Sequence, residues 1–138
     1  MSRCVALDSE AFSALAGRRS RRQQEVRAAL AAAAELHRDV IVPALVLAEL
    51  YRGAARSSLL DACLSRETGL LIRDTDRAMA RLVGGVLASA RAGSELIVDA
   101  HVVAAAVEAG GGAVLTGDPG DIARLAAPYR NIQVIDIT

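Results

Sequence analysis

Residues 110–122 read Gly110-Gly111-Gly112-Ala113-Val114-Leu115-Thr116-Gly117-Asp118-Pro119-Gly120-Asp121-Ile122. The glycines stop the helical pattern before them, Ala113 to Thr116 form a short apolar run of buried-strand length, and an acid stands directly after it. Residues 119–127 then return to helical character. A short strand followed at once by an acid and a helix is the repeating unit of a parallel sheet whose faces are covered by helices.

The unit recurs upstream. Cys4-Val5-Ala6-Leu7 reads as a buried strand ending at Asp8, and residues 10–15 begin a helix that Gly17 ends. Ser20 is placed to cap a helix over 21–36 with an apolar stripe at Val26, Leu30, Ala33 and Ala34. Residues 40–42 form the next strand, Pro43 suits a helix's first turn, and 44–52 is helical. A helical run over 56–66 leads to a strand at 69–72. Asp74 or Thr75 caps a long helix through residue 91, which Gly84-Gly85 should weaken or bend. Ser94 caps 95–109, and 132–137 is the last strand. The expectation is an α/β fold: one domain over residues 1–138, with a mostly parallel sheet of about five short strands and helices on both faces.

Composition narrows the chemistry. Sixteen cationic residues balance sixteen acids, and every cation is arginine. Without lysine, the chain has neither the P-loop lysine nor an amine for Schiff-base catalysis. Aromatic residues are 2% of the chain (Phe12, Tyr51, Tyr129), which argues against a stacking platform for single-stranded RNA and for a core of small aliphatic side chains. Cys4 and Cys63 share no metal-binding spacing and read as core thiols. The N-terminus lacks the long apolar run of a signal peptide, and no stretch has membrane-span length, so a soluble, cytoplasmic protein without membrane attachment is expected.

In doubly wound sheets the ligand site lies beyond the carboxyl ends of the strands. Asp8 and Asp118 stand there. Glu49 lies in the apolar setting Leu45-Val46-Leu47-Ala48-Glu49-Leu50, and Asp99 in Ile97-Val98-Asp99-Ala100, with Leu96 and Val103 on its helical face. A buried carboxylate is costly unless paired, protonated or bound to a cation. If four such groups converge, a hard divalent cation, Mg²⁺ or Mn²⁺, suits an all-oxygen donor set better than zinc. Simpler roles stay open: Asp8 and Asp118 as helix caps, and Glu49 as a partner of Arg52 or Arg56. Asp99 has no ion partner at helical spacing.

Taken in order, Asp8, Pro43 to Glu49-Leu50, Asp99-Ala100 to Ala105, and Thr116-Gly117-Asp118-Pro119-Gly120-Asp121-Ile122 resemble the successive signatures of PIN domains, in particular VapC-type ribonuclease toxins of bacterial toxin–antitoxin modules. The resemblance spans essentially the whole chain. It implies a Mg²⁺- or Mn²⁺-dependent endoribonuclease neutralised by a cognate antitoxin and acting on tRNA, rRNA or mRNA, and the family also forms homodimers. It also implies that Asp8, Glu49, Asp99 and Asp118 are the catalytic quartet, with Asp8, Asp99 and Asp118 holding metal and Glu49 orienting the attacking water. Thr116 and Asp121 take supporting roles. His101, two positions after Asp99, departs from the usual apolar residue and reads as a solvent-facing or core histidine. His37, at a helix end, favours the C-terminal dipole.

The acids repel phosphate unless something basic flanks them. Arg18, Arg19, Arg21 and Arg22 form the obvious RNA-binding candidate, with a solvated loop as the plain alternative. Leu45, Leu47, Leu59, Leu60 and Leu64 make an apolar stripe that is either ordinary core or a groove for a partner helix. Other readings to be separated by experiment are a PIN-like flap or DNA nuclease, a catalytically silent nucleic-acid-binding module, and a structural α/β module whose acids act as caps.

Overall fold

The computed structural model describes residues 3–138. Five strands, β1 (Cys4–Leu7), β2 (Asp39–Pro43), β3 (Leu70–Arg73), β4 (Gly112–Thr116) and β5 (Ile132–Asp136), form one sheet in the order β3-β2-β1-β4-β5. Every pairing is parallel, with Val5 opposite Val40 on one side and Ala113 on the other. Central strands of such a sheet are covered on both faces, and β1 and β4 are accordingly buried at every position. That is why they appear in the sequence as unbroken apolar runs.

Among the described residues, seven helices flank the sheet: α1 (Ser9–Ala16), α2 (Arg21–Glu35), α3 (Ala44–Leu50), α4 (Ala54–Arg66), α5 (Arg77–Ala90), α6 (Ile97–Glu108) and α7 (Pro119–Ala126). The core helix is α6. Residues 100–106 are buried on all sides of it, between the sheet and α5 and α7. Its alanines permit close approach to β1 and β4, so a chain with one phenylalanine still fills its interior. Phe12, the largest fully buried side chain, joins α1 to this core, which also holds Cys4 of β1 and Cys63 of α4 as free thiols.

Local signals placed most boundaries. Ser20 caps α2 by accepting from the Gln23 N–H at 3.1 Å. The buried Gln23 amide donates to the Leu15 and Gly17 carbonyls at 3.2 and 2.9 Å, tying the α1–α2 corner. Three expectations shift. Asp76 rather than Asp74 or Thr75 caps α5, accepting from Met79 N–H at 2.8 Å. Ser94 opens a 3₁₀ turn, Ser94–Leu96, and its side chain makes no cap. Gly84 and Gly85 leave α5 continuous, because both are exposed opposite its buried Met79, Val83 and Val86. The leucine stripe also divides: Leu47 and Leu60 are core, Leu45 and Leu64 half-buried, and Leu59 is 56% exposed.

The triple glycine has separable roles. Gly110 and Gly111 turn the chain at φ +87° and +111°. Gly112 packs against β1, and a Cβ there would overlap the Cys4 carbonyl oxygen and lie 2.7 Å from its Sγ. Gly112→Ala should therefore cost about 1–3 kcal/mol, because a central strand has to move. Gly85→Ala, with nothing within 4 Å of the added carbon, should instead stabilise by about 0.5–1 kcal/mol. Urea unfolding of the two variants checks the contrast. Equal effects would refute the packing account.

Candidate metal centre

Strand order reverses at β1: the chain moves outward through β2 and β3, then returns to lay β4 on β1's free side. Loops leaving β1 and β4 therefore part at the carboxyl edge and open a crevice. Asp8 N–H donates to the Leu115 carbonyl at 3.2 Å, joining the two strand ends. Asp8 is only 2% exposed and does two jobs. Its Oδ1 caps α1 by accepting from Ala11 N–H at 2.8 Å, and its Oδ2 accepts from Gly117 N–H at 3.2 Å. Burial pushes its acidity towards weaker acid, and hydrogen bonds from the Thr116 hydroxyl and these two N–H groups offset part of that.

Across the crevice, Asp99 projects from the first turn of α6, and Asp118 and Asp121 from the start of α7. These three offer carboxylate oxygens that all lie within 4.8 Å of one another. Asp118 occupies the N-cap position of α7 but makes no side-chain cap bond, so the plain capping role does not account for it. The buried Thr116 hydroxyl instead accepts from Asp118 N–H at 2.8 Å and fixes that turn. Asp121 is raised mainly by its hydrogen bond with Asp118. Asp99 is pushed up to about 7, first by desolvation and then by the charges of Asp8, Asp118, Asp121 and Glu49.

Together with Glu49, these acids line a cavity of about 250 Å³ that also takes in Glu10 and Glu95. Glu49 is exposed, contrary to the buried setting its apolar neighbours imply: α3 turns Val46, Leu47 and Leu50 inward and leaves Glu49 at the crevice mouth. It forms no ion pair with Arg52 or Arg56; Arg52 donates instead to its backbone carbonyl at 3.1 Å. Glu10 and Glu95 escaped the sequence reading. Their signals were present, since Glu10 stands two residues past the strand-end acid and Glu95 four residues before Asp99, where like charges repel without a reason to be paired.

Seven carboxylates around one cavity are electrostatically expensive, about 4 kcal/mol for each pair at 4 Å with an effective dielectric near 20. A divalent cation reverses that cost. The oxygen-only donor set fits a hard cation. Ser9 Oγ, buried in the same wall, has no protein partner among the described residues, and an orphaned buried hydroxyl calls for a partner that the protein itself does not supply. Gly117 belongs to the design as well, since a Cβ on it would overlap the Glu10 side chain.

The histidines lie apart from this chemistry. His101 is core, 3% exposed, with Nδ1 paired to the Ile97 carbonyl at 2.8 Å. His37 takes a left-handed conformation, φ 53°, just after α2. The arginine run divides as well. Arg18 and Arg22 line a second groove of about 540 Å³ beside the acidic cavity, whereas Arg19 does not, and Arg21 pairs with Glu25 at 3.8 Å. Arg22 lies 3.9 Å from Glu10.

No curated protein sequence matches this chain. Several solved structures share its fold, two of them at the same TM-score. One is VapBC2 from Rickettsia felis bound to a DNA fragment from its promoter, at TM-score 0.64 and 15% identity over 96% of this chain and 98% of that one. The other is FitAcB from Neisseria gonorrhoeae, at TM-score 0.64 and 18% identity over 96% and 97%. A sequence family also matches, the PIN domain, over residues 5–128. That span runs from the strand bearing Asp8 through the helix bearing Asp121 and so contains every acid of the cavity; the chain belongs to the PIN-domain family.

Proposed function

We propose that this PIN domain is a metal-dependent endoribonuclease, the toxin of a toxin–antitoxin module. The observation that carries the reading is the cavity at the sheet's carboxyl edge, lined by Asp8, Glu10, Glu49, Glu95, Asp99, Asp118 and Asp121. Asp8, Asp99 and Asp118 would hold Mg²⁺ or Mn²⁺, with Asp121 beside Asp118 as a further donor and Thr116 fixing the turn that presents it. Such a cation, when bound, supplies positive charge for a phosphodiester in transition and makes water a better nucleophile. Glu49, exposed at the mouth, orients the attacking water and accepts its proton. Asp8 is held by three donors that fix its direction.

The likeness to the VapBC2 and FitAcB structures supports a cognate antitoxin as partner. A homodimer in the cytoplasm completes the reading. Among the described residues, no helix is long and apolar enough to cross a membrane.

The test is cleavage by the purified chain of structured RNA and of flap DNA, each with Mg²⁺, Mn²⁺ or EDTA. RNA should be cut internally with either metal and stay intact in EDTA. Cleavage confined to flap DNA would replace this reading with that of a DNA nuclease. Cleavage unaffected by EDTA would overturn the metal assignment.

A further inference from the structure

We propose that Arg56, braced by Ser13, is a phosphate clamp that holds the substrate strand in the groove leading to the acidic cavity. The proposal rests on the nuclease reading and adds where the polyanion is gripped. The groove, about 540 Å³, adjoins the cavity directly, because Ser9, Glu10 and Glu49 line both. A strand approaching seven carboxylates needs fixed positive charge close by.

Three arginines face this groove, and they are not equivalent. Arg22 is partly neutralised by Glu10 at 3.9 Å. Arg18 sits on the exposed α1–α2 loop with no hydrogen bond to brace its side chain among the described residues. Arg56 is different. Its Nε donates to the Leu50 carbonyl at 3.2 Å and its Nη2 to Ser13 Oγ at 2.8 Å.

Both acceptors are uncharged, and among the described residues Arg56 forms no salt bridge. Its charge is thus uncompensated while its side chain is already ordered. Of the five N–H donors of a guanidinium, two are used and three are left to face solvent. That matches the fork by which arginine takes phosphate oxygens, and the Ser13 hydroxyl, accepting from Arg56, keeps its own hydrogen to donate. A purely structural tie between α1 and α4 would gain more from a carboxylate partner than from a serine. An uncompensated charge that is also held in place on a groove wall suits an anion better than a mobile one does.

The experiment measures binding of a fluorescent single-stranded RNA 15-mer to the full chain carrying Asp99→Asn, in EDTA, across a series of salt concentrations. Adding Arg56→Ala should weaken binding about 3–10-fold, as expected for loss of an exposed charge-assisted contact. It should also flatten the slope of log K against log salt by about 0.7, the value of one phosphate on a single strand. Arg56→Lys should restore the slope and only part of the affinity, since a point charge lacks the fork. Ser13→Ala should lower affinity with the slope unchanged. If Arg56→Ala melts early, the lysine and Ser13 variants decide the matter.

An unchanged slope and affinity in Arg56→Ala, with the chain without Asp99→Asn still cleaving RNA, overturns the clamp alone. A chain that neither binds nor cleaves RNA overturns the clamp and the nuclease reading together. Binding of poly-glutamate through Arg56, with RNA binding insensitive to its loss, would assign the groove to an acidic protein partner and also overturn the clamp.

Discussion

Replacing Asp99 by Asn is expected to lower metal-dependent cleavage by about 100-fold or more while raising the melting temperature of the metal-free protein at pH 8 by a few degrees. The opposite signs follow from one cause. Asp99 is half-buried at the start of the core helix α6, and desolvation with the charges of Asp8, Asp118, Asp121 and Glu49 pushes it up to about 7. At pH 8 it is ionised at a cost to the fold, and an isosteric neutral amide removes that cost. The same amide cannot supply the anionic oxygen that the cation requires. Since loss of an outer-shell partner alone costs about 10–100-fold in metal affinity or activity, a direct ligand should stand at or beyond the upper end. Cleavage assays beside thermal melts at pH 8 and 5.5 check the pair of effects. The stabilisation should shrink at pH 5.5, where the folded chain already holds the proton, and disappear only below about 4, where the unfolded chain holds it as well. A variant that loses activity and stability together at both pH values would make Asp99 a structural residue and remove it from the site.

The second large effect is a pH dependence that divalent cations cancel. A carboxyl group raised in the folded state binds more protons there than in the unfolded chain, so its contribution is complete below about 4 and is lost as pH rises through about 7. Asp8 and Asp121 are raised as well and act in the same direction. Asp76, Glu108 and Asp136 are lowered, mainly by hydrogen bonds, and their losses fall on the acid side of the ordinary carboxylate range. Between pH 5 and 8 the metal-free chain should therefore lose stability as pH rises, by about 1–2 kcal/mol once solvent screening of the half-open cavity is allowed for. Millimolar Mg²⁺ or Mn²⁺ should restore the loss at pH 8 and do little at pH 5. A cation occupying the site at about a hundred times its dissociation constant adds about 2.7 kcal/mol. Calorimetry across this range, with and without metal, provides the check. A melting temperature that climbs from pH 5 to 8 without metal, or a metal response equal at both ends, would contradict the convergence of these acids on one cation.

Both expectations depend on groups whose addresses the chain states locally and whose company it does not. Asp8 and Asp118 were visible because each follows an apolar run of strand length, and a strand end in a parallel sheet faces the ligand edge. Asp99 was visible as an acid in an apolar helix. For Glu49 the inference from neighbours fails on burial, because α3 has only seven residues and a helix that short buries one face while leaving the next residue exposed. Glu10 and Glu95 were missed because a surface glutamate near a helix start is ordinary until another element is placed against it. Arg56 was weighed only as a partner for Glu49, and its actual partners, the Leu50 carbonyl and Ser13 on another helix, have no sequence signature.

By itself the sequence determined the alternation of strands and helices, most of their ends, the exclusion of lysine chemistry and the positions of the candidate site acids. These are properties of hydrophobic period, capping residues and composition, all read within a few residues of where they act. Tertiary structure alone decided that β4 lies beside β1 in the order β3-β2-β1-β4-β5, and therefore that loops far apart in the chain share one crevice. It also decided which seven acids of the sixteen converge there and which arginines stand beside them. The physical reason is that strand order and helix docking are fixed by burial between distant segments, whereas local sequence fixes only what each segment is able to bury.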